Sequence, residues 1–215
     1  MIWRERFIMH NISITFDWDG VITNPIQSIL DYYGIKNVNY YDIKKYNLSD
    51  IFPNIKEKDI FKLFDSKFMY SNETQFMKDI DNNGNEYTVS DLIQELIEDK
   101  NDVFINSKGT KKNETLKMKF IRNRMLFFNI NNLTVTGHEI KDKRDVDTDI
   151  FIDDKYSNLI SATAKVKICF APFGKKNEWN KESFDKRNDI VIAKSVYGLR
   201  DIIYKNIRRL KEIKL

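Results

Sequence analysis

The sequence predicts an α/β domain with a mainly parallel sheet, interrupted early by a small inserted module of helices. Three observations predict it. Short β-branched and aromatic runs alternate with helical patterns, the signature of βα units feeding a parallel sheet. Three of those runs end in polar, oxygen-bearing residues: Ile12–Asp17, Val103–Ser107 and Ile150–Asp154. Roughly 80 residues separate the first run from the next equally clear one, far more than one βα connection needs.

The first strand is expected over Asn11 to Asp17, leading into Asp17-Trp-Asp-Gly-Val21. In the interval that follows, Ile26, Ile29, Leu30 and Tyr33 recur at helical spacing after Pro25. Ile60, Phe61, Phe64 and Phe68 form a second apolar stripe beyond the turn around Pro53 and Asn54. Asp81-Asn-Asn-Gly-Asn85 signals a turn, and Val89 to Ile97 resumes a helical pattern leading back to the core. The second core strand is expected from Asp102 to Ile105. Lys111 to Phe127 then reads as a basic helix with Leu116, Phe120 and Ile121 inward. Leu133–Thr136, Ile150–Asp154, Lys165–Ala171 and Asp189–Ala193 supply further strands. Val196 to Leu215 reads as an amphipathic helix on Leu199, Ile202, Ile203, Ile207 and Leu210, its Lys and Arg residues forming a solvated face. The expected division is a core of residues 1–24 and 98–215, with residues 25–97 as a mostly helical insertion.

Composition narrows the function classes. The 215 residues are 41% hydrophobic and 32% charged, as in a soluble globular protein. A net charge of +4 and a pI near 8.9 are mildly basic, short of a dedicated nucleic-acid binder. A single cysteine, Cys169, excludes an internal disulfide and a cysteine zinc site, and its apolar surroundings place it in the core. His10 and His138 are too few for a histidine metal cluster. Met1 to His10 carries Arg4, Glu5 and Arg6 and lacks the apolar run of a signal peptide. No stretch approaches the ~20 apolar residues that span a bilayer. A cytosolic protein with no membrane partner is expected.

The strand ends carry the chemistry. In open α/β sheets, ligands bind beyond the carboxyl ends of the strands. Asp17 and Asp19 stand together there, and carboxylates that close repel unless a cation or a shared proton relieves them. Magnesium with a phosphate ester would supply that relief. Asp17 fits a nucleophile that forms an aspartyl-phosphate, and Asp19 a general acid–base. Asp153 and Asp154 would close a magnesium site from another strand, or mark a helix N-terminus, which also favours acidic side chains. Ser107 offers a hydroxyl to phosphate, or caps the helix that follows. Lys143, ten positions before Asp153, could neutralise the transferring phosphoryl group. Lys141 is the alternative lysine, and Lys108 could contact substrate.

An Asp-x-Asp motif, a Ser/Thr motif, a lysine and an acidic pair, in that order, resemble the haloacid dehalogenase-like phosphohydrolase superfamily. The resemblance runs from about Ile12 to about Arg200 and is strongest at those four motifs. It implies a Rossmann-like three-layer α/β/α core with a small helical cap inserted after the first strand. It also implies Mg2+ as cofactor, held by Asp17, the backbone carbonyl of Asp19, Asp153 and Asp154. Asn106 stands where relatives often carry Thr, so the phosphate contact falls to Asn106 or Ser107. Within the superfamily the chain is most similar to the 5′(3′)-deoxyribonucleotidases, on Asp17-x-Asp-Gly-Val21, the Lys143–Asp153 spacing, the small cap, and the segment from Ala171-Pro-Phe to Trp179-Asn180. Trp18 between the two aspartates is unusual for that group, and the residues between Phe173 and Trp179 loosen the match. This likeness implies hydrolysis of a deoxynucleoside monophosphate, with its base stacked on a cap aromatic among Phe52, Phe61, Phe64, Phe68 and Tyr70. The alternatives are a phosphatase of polynucleotide ends, held by the basic residues from Lys108 to Arg124, and a non-catalytic binding module.

Overall fold

A computed structural model describes residues 11–36, 38, 43, 45, 48, 51–52, 54–71, 74–137, 143–172, 177–185 and 189–213. Six parallel strands form one sheet: β1 (Ser13–Phe16), β4 (Asp102–Lys108), β5 (Leu133–Thr136), β6 (Asp147–Asp153), β7 (Thr163–Phe170) and β8 (Ile190–Ala193). Between β1 and β4 the chain forms α1 (Pro25–Tyr32), α2 (Glu57–Leu63), a 3-10 turn (Lys67–Tyr70), a hairpin of β2 (Lys78–Ile80) and β3 (Glu86–Thr88), and α3 (Val89–Glu98). The later helices are α4 (Lys111–Arg124), α5 (Tyr156–Ser161), α6 (Lys181–Asp185) and α7 (Val196–Ile213).

The spatial strand order is β5-β4-β1-β6-β7-β8. From β1 the chain steps outward one way through β4 and β5, and the other way from β6 through β7 and β8. Crossovers between parallel strands are right-handed as a rule, so two series that run in opposite directions put their helices on opposite faces of a sheet. The order reverses between β1 and β6, which pair from Ile14↔Ile150 to Phe16↔Ile152. A reversal of this kind opens a crevice at the carboxyl ends of the strands. Both acidic motifs lie there.

Burial on both faces accounts for the continuous apolar character of the central strands. Ile12, Ile14, Phe16, Ile105, Ile150, Phe151 and Ile152 are fully buried. Asp149 is one of the buried polar residues of these strands. Its carboxylate accepts from the Ser13 amide and from Lys165, tying β6 to its neighbours at the far end of the sheet.

The six core strands fall where the sequence places them, within two or three residues at each end. The insertion differs in one respect, for it contains the β2–β3 hairpin. The turn residues expected at Asp81–Asn85 join two short strands there. Asp81 accepts from the amides of Asn83 and Asn85, and Gly84 adopts a positive φ of 83°. Three-residue strands are too short to show alternation in a sequence. At α3 a reciprocal capping box between Thr88 and Asp91 starts the helix, and Leu92, Ile93 and Leu96 are fully buried. No helix among the described residues is long and apolar enough to cross a membrane.

Candidate active site

The segment after β1 is a tight turn held by its own backbone. The amides of Ile22 and Thr23 both donate to the Trp18 carbonyl, and the Gly20 amide donates to the Thr23 carbonyl. Gly20 adopts φ +87°, and a β-carbon there would lie 2.7 Å from Asp154 Oδ2. Only glycine combines that backbone conformation with so close an approach. The glycine therefore lets the Asp17–Asp19 loop press against the second acidic motif.

At the switch point, ligand oxygens of Asp17, Asp153 and Asp154 all lie within 4.8 Å of one another. Lys143 joins them. Its Nζ pairs with Asp17 Oδ1, lies 2.9 Å from Asp153 Oδ2, and donates to the Asn106 carbonyl at 2.8 Å. Lys143 is only 3% exposed and Asp153 not at all. Asn158 on α5 donates to both Asp153 oxygens at 3.1 Å, and the Lys155 amide donates to one of them at 2.8 Å. The indole of Trp179 hydrogen-bonds Asp154.

The electrostatics of this cluster are unbalanced. Burial works against the Lys143 charge, but Asp153 and Asp17 override it and hold its pKa above the ordinary lysine value. The Asp153 carboxyl is pushed up to about 6 by burial, against the pull of Lys143. Burial, then the Asp153 and Asp17 carboxylates, raises Asp154 well above the ordinary range. Three carboxylates thus face one ammonium group, all with hard oxygen donors. That excess of buried negative charge fits a divalent cation such as Mg2+.

Asp19 is held differently. Its Oδ2 accepts from Lys117 Nζ at 2.8 Å, and its side chain remains 23% exposed. Burial pushes the Asp19 carboxyl above the ordinary range, and Lys117 opposes that shift without cancelling it. Lys117 also donates to Ser107 Oγ. The capping residue of α4 is Thr110, whose hydroxyl accepts from the Asn113 amide. Ser107 therefore does not cap the helix, because β4 continues through Lys108 before the chain turns.

A cavity of about 520 Å3 opens over these groups. Its polar floor includes Asp17, Asp19, Ser107, Lys108, Lys143 and Asp154. Asn106 is absent from that lining. Its carbonyl holds Lys143, and its side-chain oxygen is buried without a hydrogen-bond partner among the described residues. Opposite the floor is an apolar wall of Pro25, Ile26, Ile29, Leu48, Ile60, Phe61 and Phe64, with Trp179 also bordering the cavity. Of the five aromatics singled out in the insertion, Phe61 and Phe64 reach it. Phe52 packs on Tyr33, Phe68 on Tyr32, and Tyr70 on Trp18. The wall is tied to the core through Asn113, which donates to the Phe64 carbonyl and the Tyr70 hydroxyl, both at 2.7 Å.

The structure thus brings together Asp17, Asp19, Ser107, Lys108, Lys143, Asp153 and Asp154. Lys141 lies outside the described residues, as do His10, His138 and the segment 173–176. Lys117 and Asn158 escaped the sequence reading. Helical spacing held a signal for the first, since Lys117 stands three and four residues before Phe120 and Ile121 on one face. Asn158, five residues after Asp153, had no comparable mark.

No protein-family profile and no curated protein sequence matches the chain, so the comparison rests on three-dimensional structure. A haloacid dehalogenase-like family hydrolase from Streptococcus pneumoniae superposes with a TM-score of 0.54 at 13% identity, covering 91% of this chain and 98% of its own. A hydrolase from Pseudomonas syringae gives 0.51 at 13% identity, covering 91% and 99%. The chain has the fold of the haloacid dehalogenase-like hydrolases.

Proposed function

We propose that this protein is a magnesium-dependent phosphomonoesterase working through an aspartyl-phosphate, and that its substrate is a deoxynucleoside monophosphate. One observation carries the reading. Asp17 and Asp19, both at the floor of one cavity, are each paired with a separate buried lysine, so two neighbouring carboxylates are committed to different tasks. Pushing apart the environments of two acids is how a site assigns a nucleophile and an acid.

Asp17 attacks phosphorus, and the bond to the ester oxygen breaks with its electron pair on that oxygen. Asp19 gives the leaving oxygen its proton, releasing the alcohol. A water molecule then attacks phosphorus, Asp19 takes the water's proton, and the bond to Asp17 breaks. The carboxylate is regenerated and inorganic phosphate departs. Lys143 neutralises the nucleophile and the phosphoryl oxygens as charge builds between them. Ser107 and Lys108 hold the phosphate from the β4 side. Asp17, the Asp19 carbonyl, Asp153 and Asp154 would hold Mg2+, whose charge screens one anion from the other when bound.

Residues 25–97 serve as the cap, and its apolar wall receives the organic part of the ester. The cavity volume falls in the range of small-molecule sites, and Phe61 and Phe64 suit a flat base. Preference for deoxyribose rests on the resemblance to the 5′(3′)-deoxyribonucleotidases alone. A cytosolic site of action fits such a metabolite.

The test is phosphate release, with magnesium, from dUMP, dTMP, dGMP, UMP, a sugar phosphate and a 3′-phosphorylated oligonucleotide. Turnover confined to deoxynucleotides, and lowered at least ~10⁴-fold in Asp17→Asn, is expected. Preference for the oligonucleotide would move the protein to nucleic-acid ends. Absence of magnesium-dependent turnover throughout would leave a binding module.

A further inference from the structure

Lys117 has no exposed surface, and it does not reach the cavity. It stands behind two residues that do. Its Nζ donates to Asp19 Oδ2 at 2.8 Å and to Ser107 Oγ. The same Nζ lies 5.4 Å from the ring centroids of both Trp18 and Tyr70, within cation–π reach. Trp18 in turn meets Phe120 edge-on, 5.6 Å away. An ammonium group buried this completely is held only if its partners fix it, and here they come from β1's loop, β4 and the cap.

Resting on the phosphatase reading above, we propose that Lys117 is a positioning residue that sets how Asp19 exchanges its proton and how Ser107 presents its hydroxyl. An ammonium group donates and never accepts. Asp19 Oδ2 must therefore accept from Lys117, and any proton Asp19 carries belongs to Oδ1. That atom is buried and has no hydrogen-bond partner among the described residues, so a substrate oxygen that enters the turn would be its first. Ser107 Oγ likewise accepts from Lys117, and its own hydrogen, resting on the Lys108 carbonyl in a long 3.4 Å contact, is the one that turns to a phosphoryl oxygen. One lysine thus orders the acid and the phosphate anchor together. The tryptophan between the two aspartates gains a reason, since its ring closes the cage in which this lysine is held.

The consequence is a dependence on the leaving group. An aliphatic alkoxide needs the Asp19 proton as it departs, whereas 4-nitrophenolate leaves without one. We would compare kcat/KM for 4-nitrophenyl phosphate and for the best aliphatic ester of the panel in wild type, Lys117→Met, Asp19→Asn and the double variant. This ratio reports steps up to release of the alcohol. Lys117→Met should lose about 100-fold on the aliphatic ester, in line with a general-acid contribution, and under about 5-fold on the aryl ester. Asp19→Asn should show the same pattern, and the double variant should be no worse than Asp19→Asn. Hydrolysis of the aspartyl-phosphate also needs Asp19, so Lys117→Met should release a burst of 4-nitrophenol and then turn over slowly.

Equal losses on both esters, multiplicative losses in the double variant, or no burst would overturn the proposal while leaving the phosphatase reading intact. A wild type inert towards every ester would remove both. Melting curves check that Lys117→Met folds, and Lys117→Gln repeats the comparison with a polar side chain. Failure of both to fold would mark Lys117 as a structural lysine and overturn the positioning role.

Discussion

The two buried lysines of this site make a contrast. Lys143 lies among carboxylates, touching Asp17 and Asp153 with Asp154 beside them. Lys117 meets Asp19, a serine hydroxyl and two aromatic rings. The first is outnumbered by negative charge, and its pKa rises accordingly. The second pairs with its acid one to one, in a cage that excludes water. An outnumbered ammonium group can stabilise added anionic charge only with further positive charge nearby. A paired one is better suited to orienting a carboxyl group than to binding phosphate. The difference between the two lysines matches the roles of nucleophile and acid proposed for Asp17 and Asp19.

Removing Lys143 gives the largest expected effect on that contrast. Lys143→Met would leave Asp17, Asp153 and Asp154 facing one another without their ammonium group. Breaking a buried pair by removing one partner typically costs about 3–5 kcal/mol, a loss visible in urea melts. Turnover should fall about 100- to 1,000-fold, with no distinction between aryl and aliphatic esters, because the lysine acts on the phosphoryl group common to both. A leaving-group dependence in Lys143→Met would erase the distinction between the two lysines.

The acidic half also predicts a pH dependence tied to a cation, whereas Asp19, raised by burial in the same direction, is opposed by its own lysine. Asp153 rises from an ordinary carboxyl value of 3.8 to about 6, and Asp154 is raised as well, both chiefly through burial. The folded protein therefore holds protons that the unfolded chain has lost. The share of stability that Asp153 contributes is complete below pH ~4 and disappears as pH climbs through about 6. Without divalent cations, this cluster should favour the folded state more at pH 5 than at pH 8. Magnesium requires the ionised forms, so it should raise Tm more at pH 8 than at pH 5. Equal shifts at the two pH values, or none, would break the assignment of Asp17, Asp153 and Asp154 to a cation.

The same contrast explains what could be read in advance. The sheet was legible because its central strands β1 and β6 are apolar runs bounded by polar residues, as strands buried on both faces must be, while the edge strand β5, Leu-Thr-Val-Thr, shows β-branched residues between turn signals. Lys143 was legible because its distance along the chain to Asp153 fits a known motif order. Lys117 was hidden among the six basic residues of α4, where composition suggests a solvated face. What buries it is the meeting of Trp18, Tyr70 and Ser107, three residues far apart in the chain. Thr110 rather than Ser107 caps α4 because β4 continues to Lys108, and strand ends are poorly marked where polar residues follow one another. The hairpin from Lys78 to Thr88 escaped for want of length. Of the aromatics in the insertion, helical periodicity could not say which faced the cavity, since the stripe serves packing and lining at once.

The smallest expected effect concerns that lining, and it separates the floor of the cavity from its wall. Phe61 and Phe64 border the cavity with their rings tilted at 35°, centroids 6.4 Å apart. Phe61 is 40% exposed, so replacing it costs little packing. Phe61→Ala should therefore leave Tm within ~2 °C, as surface substitutions usually do. If a base rests on this wall in ground and transition states alike, KM for the deoxynucleotide should rise about 5- to 10-fold with kcat unchanged. Inorganic phosphate, which reaches only the floor, should inhibit wild type and variant equally. A fall in kcat with KM unchanged would place Phe61 in the chemistry and blur the division between wall and floor. An unchanged KM for every nucleotide would mean that the base lies elsewhere, and the substrate class would have to be sought among smaller esters.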